Sequence, residues 1–110
     1  MKIQIKKIPK STWREIYLAA ESINDVDMSM SNEPLYKAFV CLLYDVQPRL
    51  MNKFKDINVN CKKEANLTLK YQEAFAFDWY LQSYIINTAD NDISKAILSA
   101  FKQQLNQKLQ

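Results

Sequence analysis

The sequence predicts an α+β fold, mostly helical, in the order β-α-α-β-β-α-α with a short three-stranded antiparallel sheet. Three observations carry this reading. Apolar residues recur at helical spacing through four stretches of the chain. Ile3 and Ile5 alternate with polar residues near the start, ahead of Pro9. Two more alternating runs, Ile57-Val59-Cys61 and Leu67-Leu69, flank the polar linker 62–66 in the pattern of a β-hairpin. If 56–69 were continuous helix, the fold would be an all-α bundle. The 110 residues, 48% apolar and 25% charged, fit one domain over 1–110. A chain of that size buries about two-thirds of its unfolded surface and needs no staples.

Each element has its own signal. Residues 2–8 form the first strand. Thr12-Trp13-Arg14-Glu15 fits a capping box, with Thr12 as N-cap and Glu15 reaching back. It opens a helix over 12–24 with Trp13, Ile16, Tyr17, Ala20 and Ile23 on one face. Residues 25–32 read as a polar, acidic loop. Its start, Asp25-Val26-Asp27-Met28-Ser29, resembles a calcium loop. Met30 and Tyr36 stand where an EF-hand requires Gly and Glu, so no metal is assigned.

A second helix starts near Glu33-Pro34, with proline in the first turn. Leu35, Phe39, Leu42, Leu43, Val46, Leu50, Phe54 and Ile57 keep the helical period through Pro48. This predicts a kink or two abutting helices there. A third helix covers about 70–88 and is apolar almost all round. The fourth starts at Asp92 as N-cap and carries Ile93, Ile97, Phe101, Leu105 and Leu109. Its polar end, from Gln103, is predicted to fray. The chain has no glycine, so left-handed backbone at element ends falls to Asn24, Asn58, Asn60, Asn87 and Asn91.

The absence of glycine and histidine excludes whole classes of chemistry. Phosphate-cradling loops and the nucleophile elbow need glycine. Ser-His-Asp and Cys-His catalysis, and any zinc site with a His ligand, need histidine. Cys41 and Cys61 are too few to close a tetrahedral zinc site. They are read as free thiols of a reducing cytosol, because no secretion signal is visible. Asn66-Leu67-Thr68 is then a chance match to a glycosylation sequon. No run approaches the length of a membrane span. The expectation is a cytoplasmic protein with no cofactor, no metal and no membrane contact. Lys outnumbers Arg 13 to 2 and there are nine Asn, a composition that suggests an A/T-rich bacterial or phage genome.

Three constellations could carry function. The first is aromatic: Tyr71, Phe75, Phe77, Trp79, Tyr80 and Tyr84 crowd one helix. They exceed what a small core hides, and Phe77, Tyr80 and Tyr84 are the residues predicted to stay exposed as a protein interface. The second is basic: Lys2, Lys6, Lys7, Lys10 and Arg14, with no acid among the first fourteen residues. They could track phosphates, with Trp13 and Tyr17 stacking on bases, although lysine at a sheet edge also guards against aggregation. The third is Asp78, inside the apolar arc with Gln82 one turn on, both predicted to be buried polar groups. A buried carboxylate bonded to Tyr, Trp or Lys fixes packing, and with a second acid or base it would serve a ligand.

The reading that follows is a non-enzymatic protein-interaction or assembly module, with a protein partner or a second copy. A nucleic-acid-binding accessory protein using the basic N-terminus is the alternative. A small-molecule binder or enzyme built on Asp78 is the third.

Overall fold

The computed structural model describes residues 2–26, 33–87 and 92–110. Strand β1 spans Lys2–Pro9 and runs directly into helix α1, Lys10–Ser22, which ends in a 3-10 turn over Ile23–Asp25. Helix α2 is Pro34–Val59, strand β2 Glu64–Lys70, helix α3 Tyr71–Asn87 and helix α4 Asp92–Leu109. The fold is α+β and mostly helical, as predicted. The sheet, however, has two strands, with β1 antiparallel to β2.

The missing strand is the end of α2. Ile57 is fully buried and continues the helical face of Leu50 and Phe54, whereas Val59 and Cys61 are exposed. The alternation of these three residues marks no sheet face. Glycine's absence is met here by a cysteine. Cys61 takes φ 54°, Lys62 N donates to Ile57 O at 3.0 Å, and Cys61 N donates to Asn58 O at 3.3 Å. These two bonds form a Schellman motif, with Cys61 in the place usual for glycine. Asn60, predicted to take that role, stays at φ −94° and donates from Nδ2 to Asp56 Oδ1. Lys62 Nζ lies 2.9 Å from Asp56 Oδ2, and this hydrogen bond holds the Asp56 carboxyl below its ordinary pKa.

Pro48 lies inside one helix that continues to Val59. Its missing N–H would have bonded the Tyr44 carbonyl. Pro48 is solvent-exposed, so water can serve that carbonyl. Helix α1 begins two residues before the predicted start. Pro9 occupies the N-cap position without a side-chain cap, and Lys10 N donates to Lys63 O at 2.9 Å instead. Helix α4 holds its geometry to Leu109, because Leu105 is buried and Tyr71 Oη donates to the Leu109 carbonyl at 3.0 Å. The predicted acidic loop lies mainly at 27–32, outside the described residues.

Strand β1 contains a bulge. Ile5 pairs with Leu67 and Ile8 with Ala65, so Lys6 and Lys7 together oppose Asn66. Lys7 takes φ 55°, and its N–H donates to Asn66 Oδ1 at 2.8 Å. The extra residue turns Ile8 to the side of Ile3 and Ile5, and all three are buried with Leu67 and Leu69. One contiguous core joins this apolar sheet face to Trp13, Ile16 and Ile23, to Leu43, Leu50 and Ile57, and to Phe77, Leu81, Leu98, Phe101 and Leu105. The Trp13 indole N–H donates to Ala65 O at 3.2 Å, tying α1 under β2.

Candidate functional site

Helices α2 and α3 run antiparallel: Tyr36 meets Trp79 at one end and Arg49 meets Glu73 at the other. The first of these ends carries an open aromatic cluster. Phe39 sits between Phe75 and Trp79, with ring centroids 5.6 and 5.0 Å away. Tyr36 approaches Trp79 edge-on at 5.8 Å, and Tyr71 adjoins Phe75 at 6.4 Å. Phe75 remains 45% exposed, Trp79 37% and Leu35, one turn before Phe39, 57%. Such tilted and edge-on pairs are the favourable geometries for aromatic rings.

The rings that face outward differ from those predicted. Phe77 is fully enclosed and meets Phe101 at 6.4 Å in the core. Tyr80 is half-buried, stacks with Tyr84 at 6.2 Å and shares a hydrogen bond with the Ser22 hydroxyl. Burial pushes the Tyr80 phenol above its ordinary pKa, opposed by that hydrogen bond. Both tyrosines pack against the core. On α3 the exposed pair is thus Phe75 and Trp79, spaced i, i+4.

The other end of the α2–α3 pair is latched. Arg49 Nη2 donates to Glu73 Oε2, while Lys70 N donates to Glu73 Oε1 at 2.9 Å. The second bond is the reach-back half of a capping box, with Glu73 three residues inside α3. Glu73 is 7% exposed. The Arg49 hydrogen bond, assisted by the Lys70 N–H, holds its carboxyl below the usual glutamate range against the opposing effect of burial. The same bond raises the Arg49 pKa. Gln47 is the other buried polar side chain among the described residues, and its Nε2 donates to Ala20 O at 2.9 Å and to Asn24 Oδ1 at 2.8 Å. It fastens α2 to the end of α1. Neither Glu73 nor Gln47 is among the polar residues predicted to be buried, although the spacing of Lys70 and Glu73 at the start of α3 is a readable cap.

Asp78, predicted to be buried, is only half-buried, because α4 covers it on one side and supplies a lysine to its carboxylate. Lys102 Nζ lies 3.2 Å from Oδ1, and Asn106 Nδ2 donates to Oδ2 at 3.5 Å, joining α3 to α4. Oδ1 is enclosed and accepts no hydrogen bond among the described residues, so its contact with the ammonium is one of charge. Gln82, predicted to be buried, is exposed. It borders a shallow groove of about 440 Å³ with Ile86, Ser99, Lys102 and Asn106. The titratable side chain among these lining residues is Lys102, which is paired with Asp78.

Among the basic residues, Lys2 and Lys6 lie on the outer face of the sheet, Lys7 in the bulge, and Lys10 and Arg14 one turn apart on α1; all five are exposed. Trp13 is fully buried and cannot stack on a base, and Tyr17 packs against Phe54 at 4.9 Å. Cys41 and Cys61 are free and exposed. Among the described residues no group of three His, Cys, Asp or Glu side chains could hold a metal ion. Among the same residues, no helix is long and apolar enough to cross a membrane. No protein-family model, no curated protein and no solved structure matches the chain.

Proposed function

We propose that this chain is a non-enzymatic protein-interaction module that docks a second protein, or a second copy of itself, on the aromatic end of the α2–α3 pair. The observation that supports this most is the ring cluster of Tyr36, Phe39, Phe75 and Trp79, in which Phe75 and Trp79 are more than a third exposed, with exposed Leu35 one turn before Phe39 on α2. Apolar clusters of this kind on a small protein commonly mark contact surfaces, and Trp and Tyr are enriched among the residues that anchor them. The lack of histidine and of glycine loops agrees with a binding role.

The test is light scattering at high concentration together with affinity capture from the source cell, for the wild type and for Phe75→Ser/Trp79→Ser. The wild type should associate or retain partners, and the folded double variant should lose both. A folded double variant that associates or captures as the wild type does would overturn the reading. So would a wild type that stays monomeric and captures nothing.

A further inference from the structure

The sheet has one apolar face, which lies on the core, and one polar face. Outward from β1 point Lys2, Gln4 and Lys6, and outward from β2 point Glu64, Asn66, Thr68 and Lys70, all exposed. Register places Lys2 opposite Lys70 and Gln4 opposite Thr68. Glu64 is the acid of this face and stands at its far end beside Pro9, about 20 Å from Lys70 at the usual rise per strand residue.

The basic character continues on both flanks. Next to β1, a hollow of about 590 Å³ is lined by Lys2, Gln4, Lys6 and, from α4, Lys108. Next to β2, a cleft of about 250 Å³ is lined by Arg49, Lys53, Asn66 and Thr68. Arg49 is engaged by Glu73, so Lys53 supplies the charge of that flank, where it also lies in the field of Asp56. Lysines on an exposed strand guard against edge pairing. That role does not account for two further lysines, from two different helices, set around the same face.

We infer that this face binds double-stranded DNA, with the ribbon in the major groove and the lysines on the phosphates. A major groove about 12 Å wide admits a two-stranded ribbon. Alternate residues on a strand recur about every 6.6 Å, so Lys2 and Lys6 stand about 13 Å apart with Gln4 between them. Lys53 and Lys108 flank the ribbon on either side, where the two phosphate backbones would pass. The centre carries groups that read base edges: the Gln4 amide can pair with adenine N6 and N7, and the Thr68 hydroxyl can donate or accept. Two other nucleic-acid classes fit less well. Single strands call for aromatic stacking platforms, and this face has none among the described residues. The major groove of A-form RNA is too deep and narrow for side chains to read.

Fluorescence anisotropy with a mixed-sequence DNA duplex of about 20 base pairs tests this, beside the matching single strand and RNA duplex, from about 50 mM salt upward. Duplex DNA should bind most tightly. Five engaged lysines give a slope of log K against log salt of about −4 to −5. Lys2→Gln/Lys6→Gln/Lys70→Gln should weaken binding about tenfold or more at low salt and reduce the slope by about 2 to 3. Lys37→Gln/Lys55→Gln/Lys95→Gln removes the same charge elsewhere and should leave the slope unchanged. Circular dichroism checks that both variants fold. Absence of binding at low salt, equal losses in the two triple variants, or preference for the single strand or the RNA duplex would each overturn the assignment. None of these outcomes depends on the aromatic surface of α2 and α3.

Discussion

The two ends of the α2–α3 pair differ in what holds them. At one end Glu73 receives both Arg49 and the Lys70 N–H, and little of it is left to solvent. At the other, Phe39 packs against both Phe75 and Trp79, and these two leave much of their area open. Directional bonds close the first end against water. The second end is held by non-directional contacts, which a partner's side chains can extend without breaking anything. Under the proposed function, the same two helices provide a fixed anchor and a docking surface.

The comparison breaks most sharply at Phe75 and Phe77, two residues apart on α3. Phe77→Ala should destabilise the fold by about 3–5 kcal/mol, the usual cost of emptying a core aromatic site. Phe75→Ala should cost about 1 kcal/mol or less, as surface substitutions do. Denaturant unfolding of both variants measures the gap, and equal costs would mean that the aromatic end is core after all.

The latched end gives the next largest effect. Arg49→Ala leaves the buried Glu73 carboxylate without its charged donor and should cost about 1–3 kcal/mol. Arg49→Ala/Glu73→Gln should recover part of that loss, because the stranded charge is removed.

Acid sharpens the same contrast. The Glu73 carboxyl is held below its ordinary value in the folded chain, so the unfolded chain binds the proton first. Its contribution is present in full above the ordinary glutamate value of about 4.3 and falls as pH drops through that value toward the lowered one. In thermal melts from pH 6 down to pH 3, on the order of the carboxylate range, Glu73→Gln should flatten this part of the pH dependence. An unchanged profile in that variant would assign the acid sensitivity elsewhere.

The smallest effect belongs to the end of α2. Cys61 holds a left-handed backbone at φ 54°, and Cys61→Gly should stabilise the fold by roughly 0.5–1 kcal/mol. A loss of stability would mean that the thiol has packing value at this site.

What the sequence revealed, and what it hid, follows from which interactions are periodic. The faces of α1, α2 and α4 were legible because Ile16, Leu50 and Leu105 recur in step with the helix, and the first strand because Ile3 and Ile5 alternate. Ile57 was misleading: it belongs to both a helical and an alternating pattern, and only its packing beside Leu50 decides between them. On α3, nearly every position is apolar, so periodicity cannot say which rings turn inward, and Phe77 and Phe75 changed places. Gln82 and Gln47 are the same residue type with opposite fates. Gln47 is buried because the carbonyl of Ala20, twenty-seven positions away, comes to meet it. The aromatic content of the surface was thus readable, while its location was set by contacts between distant segments.

The glycine-free backbone has a consequence for the ensemble from which this protein folds. Glycine is about 7% of an average protein, and each one enlarges the conformational space of the unfolded chain, at a cost of about 0.5–1 kcal/mol when it must be fixed in a helix or strand. Here every residue of that ensemble carries a side chain that restricts its dihedral angles. The native state concentrates the resulting strain at two described positions, Lys7 in the bulge and Cys61 after α2. The disordered chain is correspondingly stiffer, so folding gives up less disorder per residue than in a protein of ordinary composition.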